Sequence, residues 1–158
     1  MLSLSYEALS AEVDSVILSD GNLRTSSFLI RGHGERGWGD RYRRRNDMTS
    51  ESRLMFIMQG EINYEVFGKK YTVKKNQMFL IPERQYYSLW TPEGGYVHMH
   101  YCNFNATIES ESLFDYLEGE WVADVDDREE VLERFKRFHR TDKSNLILDC
   151  LEKRSNLL

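Results

Sequence analysis

The chain has 158 residues, 41% of them hydrophobic and 30% charged, which are the values of a folded globular domain and exclude a disordered one. Its formal net charge of −5 argues against holding DNA with its own surface, because phosphate binding needs clustered Lys and Arg. No apolar stretch approaches the roughly 20 residues of a membrane helix. Residues 1–13 carry Glu7 and Glu12 and lack the basic-then-apolar order of a signal peptide. With only two cysteines, Cys102 and Cys150, far apart in sequence, a cytoplasmic protein is expected.

In chain order, residues 13–18 read as a strand closed by the turn Asp20-Gly21-Asn22, and residues 23–30 as the next. Gly32, Gly34, Gly37 and Gly39 then fall within eight residues, which reads as a flexible loop. No helix start with a Lys-Ser or Lys-Thr pair follows, so a phosphate-binding loop is disfavoured. Residues 53–58 are apolar after Arg53, as in a strand buried on both faces. Gln59-Gly60 breaks the run. Over residues 61–67, Ile62, Tyr64 and Val66 alternate with Glu61, Asn63 and Glu65, the period of a half-buried strand. Gly68-Lys69 turns into a hairpin partner, and further strands are expected over 78–81, 86–90 and 96–104. Short strands at roughly 8–12-residue spacing point to an antiparallel sandwich or barrel.

After residue 105 the pattern becomes helical. Asp126 and Glu129 resemble a capping box, followed by Val131, Leu132, Phe135 and Phe138 on one stripe. A second helix is expected from Ser144, with Ile147, Cys150, Leu151 and Arg154 at spacings of three and four.

From Arg53 to Phe104 the sequence resembles the sensor domain of the arabinose-regulator (AraC) family of bacterial transcription regulators. Leu54-Met55-Phe56-Ile57-Met58-Gln59-Gly60 is similar to that family's apolar strand ending in glycine. Phe67-Gly68-Lys69-Lys70-Tyr71-Thr72-Val73 resembles the hairpin that follows, and Met78-Phe79-Leu80-Ile81-Pro82 its apolar strand into proline. The sequence departs from the family at Asn76-Gln77, where Gly-Asp is frequent, and at Tyr86-Tyr87, where a histidine often stands.

The resemblance implies a mainly β fold with C-terminal helices. Residues 1–108 would form a cupin-like antiparallel β-barrel (a double-stranded β-helix) that binds a ligand. Residues 109–158 would form a helical pair that packs on the barrel and dimerises the protein. It further implies a small-molecule effector, such as a sugar or another polar metabolite, and a homodimer. DNA would be reached only through helix-turn-helix units outside these residues, with no role for a membrane. The expected dimer residues are Phe135, Ile147, Cys150, Leu151 and Arg154.

Arg45, fifteen residues before Gly60, matches an arginine that contacts the ligand in sugar-binding members of that family, although an exposed basic loop is an equal alternative. Trp38, Tyr64, Tyr86, Tyr87 and Trp90 are candidates for stacking on a ligand, though most are expected in core or rim. On the last strand, Val97, Met99, Tyr101 and Asn103 share one face, and His98, His100 and Cys102 the other. Tyr101 is the lumen candidate in one register and His100 in the other. His98 and His100 form the one His-x-His pair, but a catalytic metal needs at least three protein ligands. His33 and His139 lie elsewhere in the chain. We therefore expect no metal, no cofactor and no enzymatic activity; the alternative is a free-standing cupin enzyme with a metal near His98 and His100.

Overall fold

The computed structural model describes residues 26–108, 110–115 and 118–140. It divides into two compact units, Met1–Asp126 and Asp127–Leu158. The first holds β1 (Ser26–Trp38), β2 (Arg43–Met48), β3 (Ser52–Val66), β4 (Lys69–Lys74), β5 (Gln77–Ile81), β6 (Tyr86–Trp90), β7 (Val97–Ile108), β8 (Glu111–Ser112) and β9 (Val122–Asp124). The second holds α1 (Arg128–Arg140).

All strand pairings are antiparallel. One sheet runs β1-β7-β3-β5-β9. The other consists of β4, β3, β6 and β2. The strand shared by both is β3. Its first half lies between β7 and β5, and its second half, from Glu61, lies between β4 and β6. The change of sheet falls at Gln59-Gly60, where the register against β7 shifts and Gly60 takes φ 77°. The expected break is thus a bend inside one long strand. Glycine supplies the left-handed conformation, and a Cβ there would collide with the Tyr96 carbonyl oxygen.

The two sheets face each other across one core, the mainly β antiparallel architecture expected above. Period two decides which residues enter it. Met55, Ile57, Ile62, Tyr64 and Val66 come from β3, Val73 from β4, Phe79 and Ile81 from β5, Tyr87 and Leu89 from β6, and Val97 and Met99 from β7. The Tyr64 hydroxyl donates to the Leu80 carbonyl at 2.7 Å, which satisfies a polar group in a fully buried position. β7 is buried on its other face too, through His100, Cys102, Phe104 and Ala106.

Three expectations change. The glycine-rich segment is not a loop: β1 runs through Gly32, Gly34 and Gly37 and pairs with β7 along its length. Its glycines make room for aromatic rings, since a Cβ on Gly34 would lie 3.1 Å from the Tyr101 ring, and one on Gly37 2.5 Å from the Tyr96 hydroxyl. The stretch after residue 108 is not wholly helical either. Short β8 pairs with β7, and β9 pairs with β5. Strands of two or three residues are too short to show a period. Finally, the helix cap is Asp127, whose carboxylate accepts the Glu130 N–H at 2.9 Å, and not Asp126. Val131, Leu132 and Phe135 are buried, and Glu130 pairs with Arg134 on the exposed face. The first expected strand, residues 13–18, and the second helix, residues 144–158, lie outside the described residues.

The bend gives a direct test. Gly68 also has positive φ, at 73°, but a Cβ there would meet nothing within 4 Å. Gly68→Ala should therefore cost about 1 kcal/mol. Gly60→Ala should cost more than about 3 kcal/mol, because backbone strain is joined by a backbone clash. Denaturant midpoints of the two variants check the difference; equal losses would contradict the role given to the bend.

Candidate ligand-binding site

The inner wall leaves a partly open cavity of about 90 Å³ between the sheets. It is lined by Arg36 and Trp38 from β1, Arg44 from β2, Arg53 and Met55 from β3, and Met99, Tyr101 and Asn103 from β7. Strand register explains the grouping. Arg53 stands directly opposite Asn103, Met55 opposite Tyr101, and Gly34 opposite Tyr101 on the far side. Gly34 leaves the space in which the Tyr101 ring lies, and the Arg36 guanidinium sits 4.9 Å from the centre of that ring. Trp38 stacks flat on Tyr42, with centroids 3.8 Å apart and planes 4° apart.

The second wall is a polar relay. Arg44 donates to the Tyr42 hydroxyl at 3.0 Å and to Asp47 at 2.7 Å. Tyr87 donates to the same Asp47 carboxylate at 3.3 Å, and Arg53 donates to the Tyr87 hydroxyl at 3.5 Å. A bulge in β2 between Arg44 and Asp47, with Asn46 at φ 47°, brings these two side chains together three residues apart. The Arg44 hydrogen bond holds the Asp47 carboxyl below the usual carboxylate range. Burial pushes the Tyr42 and Tyr87 phenols up, so both stay neutral. Among the described residues the lining contains three arginines and no carboxylate, and Asp47 neutralises one of them from behind.

Two polar atoms in this wall have no partner among the described residues. Arg53 Nε and Asn103 Oδ1 are both buried and make no hydrogen bond. Buried donors and acceptors are nearly always paired, and leaving one unpaired costs about 1–3 kcal/mol.

The residues picked from sequence divide. Trp38 and Tyr101 line the cavity. Tyr64 is core, bonded to Leu80. Tyr86 is 60% exposed, and it and Trp90 point away from the face on which Tyr87 and Leu89 enter the core. Arg45 lies inside the β2 bulge and is exposed. His98 and His100 are on the face of β7 opposite the cavity, with Glu35 at 3.2 Å from His98 and 3.6 Å from His100. Among the described residues no group of three or more His, Cys, Asp or Glu side chains is placed to hold a metal. Tyr101, not His100, is therefore the lumen residue. Of the dimer candidates, Phe135 is buried on α1; Ile147, Cys150, Leu151 and Arg154 lie outside the described residues. Burial pushes the Cys102 thiol up to about 12, which keeps it protonated and unreactive. Arg36, Arg44, Arg53 and Asn103 were not singled out. Arg53 did carry a signal, as the one charged residue opening an apolar run with the parity of Met55 and Ile57.

A scan of protein families finds no matching model, and a search of curated proteins finds no match. Solved structures do match. The cupin domain of Schizosaccharomyces pombe Cnp3 is 19% identical, with 49% of this chain and 63% of that chain covered, at a TM-score of 0.41. A putative ethanolamine utilization protein, EutQ, from Salmonella typhimurium LT2 is 14% identical, covering 49% and 68%, at 0.40. YhaK from Escherichia coli is 13% identical, covering 66% and 45%, at 0.49. The chain thus spans under two thirds of the length of the Cnp3 domain. Among the described residues no helix is long and apolar enough to cross a membrane.

The relay predicts a pH dependence. Asp47 has a lowered folded value, so its contribution to stability is complete above its ordinary value near 3.9. That contribution is lost as pH falls through the lowered folded value. Asp47→Asn should cost under about 1 kcal/mol at pH 7. The gap between variant and parent should close below about pH 3.9. Unfolding curves across that range check this; a gap that persists undiminished in acid would contradict it.

Proposed function

We propose that the chain is the small-molecule sensing and dimerisation domain of an AraC-like bacterial transcription regulator, with its effector in the cavity between the two sheets. The observation that carries this reading is the cavity itself: aromatic walls at Trp38 and Tyr101, with a buried donor on Arg53 and a buried acceptor on Asn103 that a ligand would complete. Small-molecule sites combine apolar walls with placed polar groups; here Trp38, Met55, Met99 and Tyr101 supply the first, and the arginines and Asn103 supply the second. In this reading DNA contact belongs to helix-turn-helix units outside these residues. Dimer contacts belong to the segment with Ile147, Cys150, Leu151 and Arg154, while Phe135, buried within the single chain, supports it from behind. The effector acts by binding one arrangement of the dimer more tightly than the other.

The metal-enzyme alternative draws no support from the cavity, because His98 and His100 face away from it.

A thermal-unfolding screen of polar metabolites tests the reading. An effector present at about 100 times its Kd adds about 2.7 kcal/mol to unfolding. Trp38→Ala and Tyr101→Ala should abolish the shift, while Tyr86→Ala and Trp90→Ala should keep it. A shift that survives both cavity variants would place the ligand elsewhere. Leu151→Glu should lower the sedimentation coefficient from dimer to monomer without changing the β-type circular dichroism; an unchanged dimer would refute the helical interface.

A further inference from the structure

The cavity also carries information on what it binds. Its described lining holds three guanidinium groups, of which Arg44 is paired with the Asp47 carboxylate. Arg36 and Arg53 therefore give the space a net positive field, which suits an anion. An ionised carboxylate or phosphate only accepts hydrogen bonds. It would satisfy Arg53 Nε but leave Asn103 Oδ1 without a donor. Arg53 and Asn103 are register partners on β3 and β7, so they stand side by side, with directly opposed Cβ atoms about 4.5–5.5 Å apart. The missing complement is an acceptor and a donor on neighbouring atoms of one small molecule. Size limits it further: about 90 Å³ is well below the roughly 150 Å³ cavity that admits a benzene ring.

We propose that the cavity takes a short-chain 2-hydroxycarboxylate, its carboxylate held by the Arg53 guanidinium and its 2-hydroxyl donating to Asn103 Oδ1. The assignment rests on the cavity being the effector site. It places charge recognition on β3 and hydroxyl recognition on β7, with Met55 and Met99 against the carbon chain. The stacked Trp38–Tyr42 pair offers a flat wall beside it.

Isothermal titration of the full chain with L-lactate, D-lactate, propionate, inorganic phosphate, glycerol and a neutral pentose tests it. One lactate enantiomer should bind, and propionate, which lacks only the hydroxyl, should bind at least about tenfold more weakly. Asn103→Leu should bring lactate down to the propionate level and leave propionate unchanged. Arg53→Gln should abolish both. If Asn103→Leu fails to fold, the lactate-to-propionate ratio on the parent chain decides alone. Phosphate binding that exceeds lactate binding would overturn the hydroxy-acid assignment in favour of a plain oxyanion site. Pentose binding lost in Trp38→Ala would also overturn it, while leaving the sensing reading intact. No binding of any probe, with tryptophan emission unmoved, would overturn the assignment together with the cavity as effector site.

Discussion

Everything in the barrel depends on one strand serving two sheets. The left-handed bend at Gly60 lets β3 leave β7 and β5 and join β4 and β6 without a break in the chain. Because side chains alternate on both halves, the bend must keep Met55 and Ile57 on the same inner surface as Ile62, Tyr64 and Val66. A one-residue error there would turn Ile62, Tyr64 and Val66 outward relative to Met55 and Ile57, at about 1.5–3 kcal/mol for each large apolar residue exposed. The same parity brings Arg53 inward, two positions before Met55. A guanidinium at the inner wall is thus a consequence of the strand that builds the core.

That consequence is costly unless the group is used. Arg44 is accommodated by Asp47 and Tyr42, and Arg36 by the face of Tyr101. Arg53 reaches the Tyr87 hydroxyl, at 3.5 Å, and among the described residues its Nε is unpaired, as is Oδ1 of its register partner Asn103. A chain selected for stability alone would fill this position with an apolar side chain, as it does at Ile81, the β5 partner of Arg53. An unpaired polar group of this kind at a concave, aromatic-walled place supports the proposed ligand site. The outer face of β7 has a different character: His98 and His100 share Glu35, and Cys102 is a protonated thiol in an apolar setting.

How much of this was readable in the sequence follows from element length and from parity. The alternation Ile62, Tyr64, Val66 and the apolar run after Arg53 mark β3 correctly, because each is long enough to show its period. The face of β7 carrying Val97, Met99, Tyr101 and Asn103 was separable from the face carrying the histidines, though which of the two entered the lumen needed the register against β1 and β3. The glycines of β1 misled, since glycine is read as loop unless the bulky partners it makes room for, Tyr101 and Tyr96, are known. Tyr86 and Trp90 share a face opposite Tyr87 and Leu89, so aromatic content alone could not rank them. Arg44 and Arg45 could not be told apart within a run of basic residues whose alternation is interrupted by a bulge. The strands β8 and β9 have too few residues for any pattern.

Arg53 and Asn103 form an incomplete polar pair in the barrel wall, which the proposed small ligand would complete. Nuclear magnetic resonance of the arginine Nε–H groups addresses this most directly, with the Arg53 signal assigned by its loss in Arg53→Lys. On titration with lactate that one signal should move and become protected from exchange with water, while the signals of exposed Arg41 and Arg45 stay in place. An Arg53 signal that does not respond, or that responds no more than those of the surface arginines, would contradict the account.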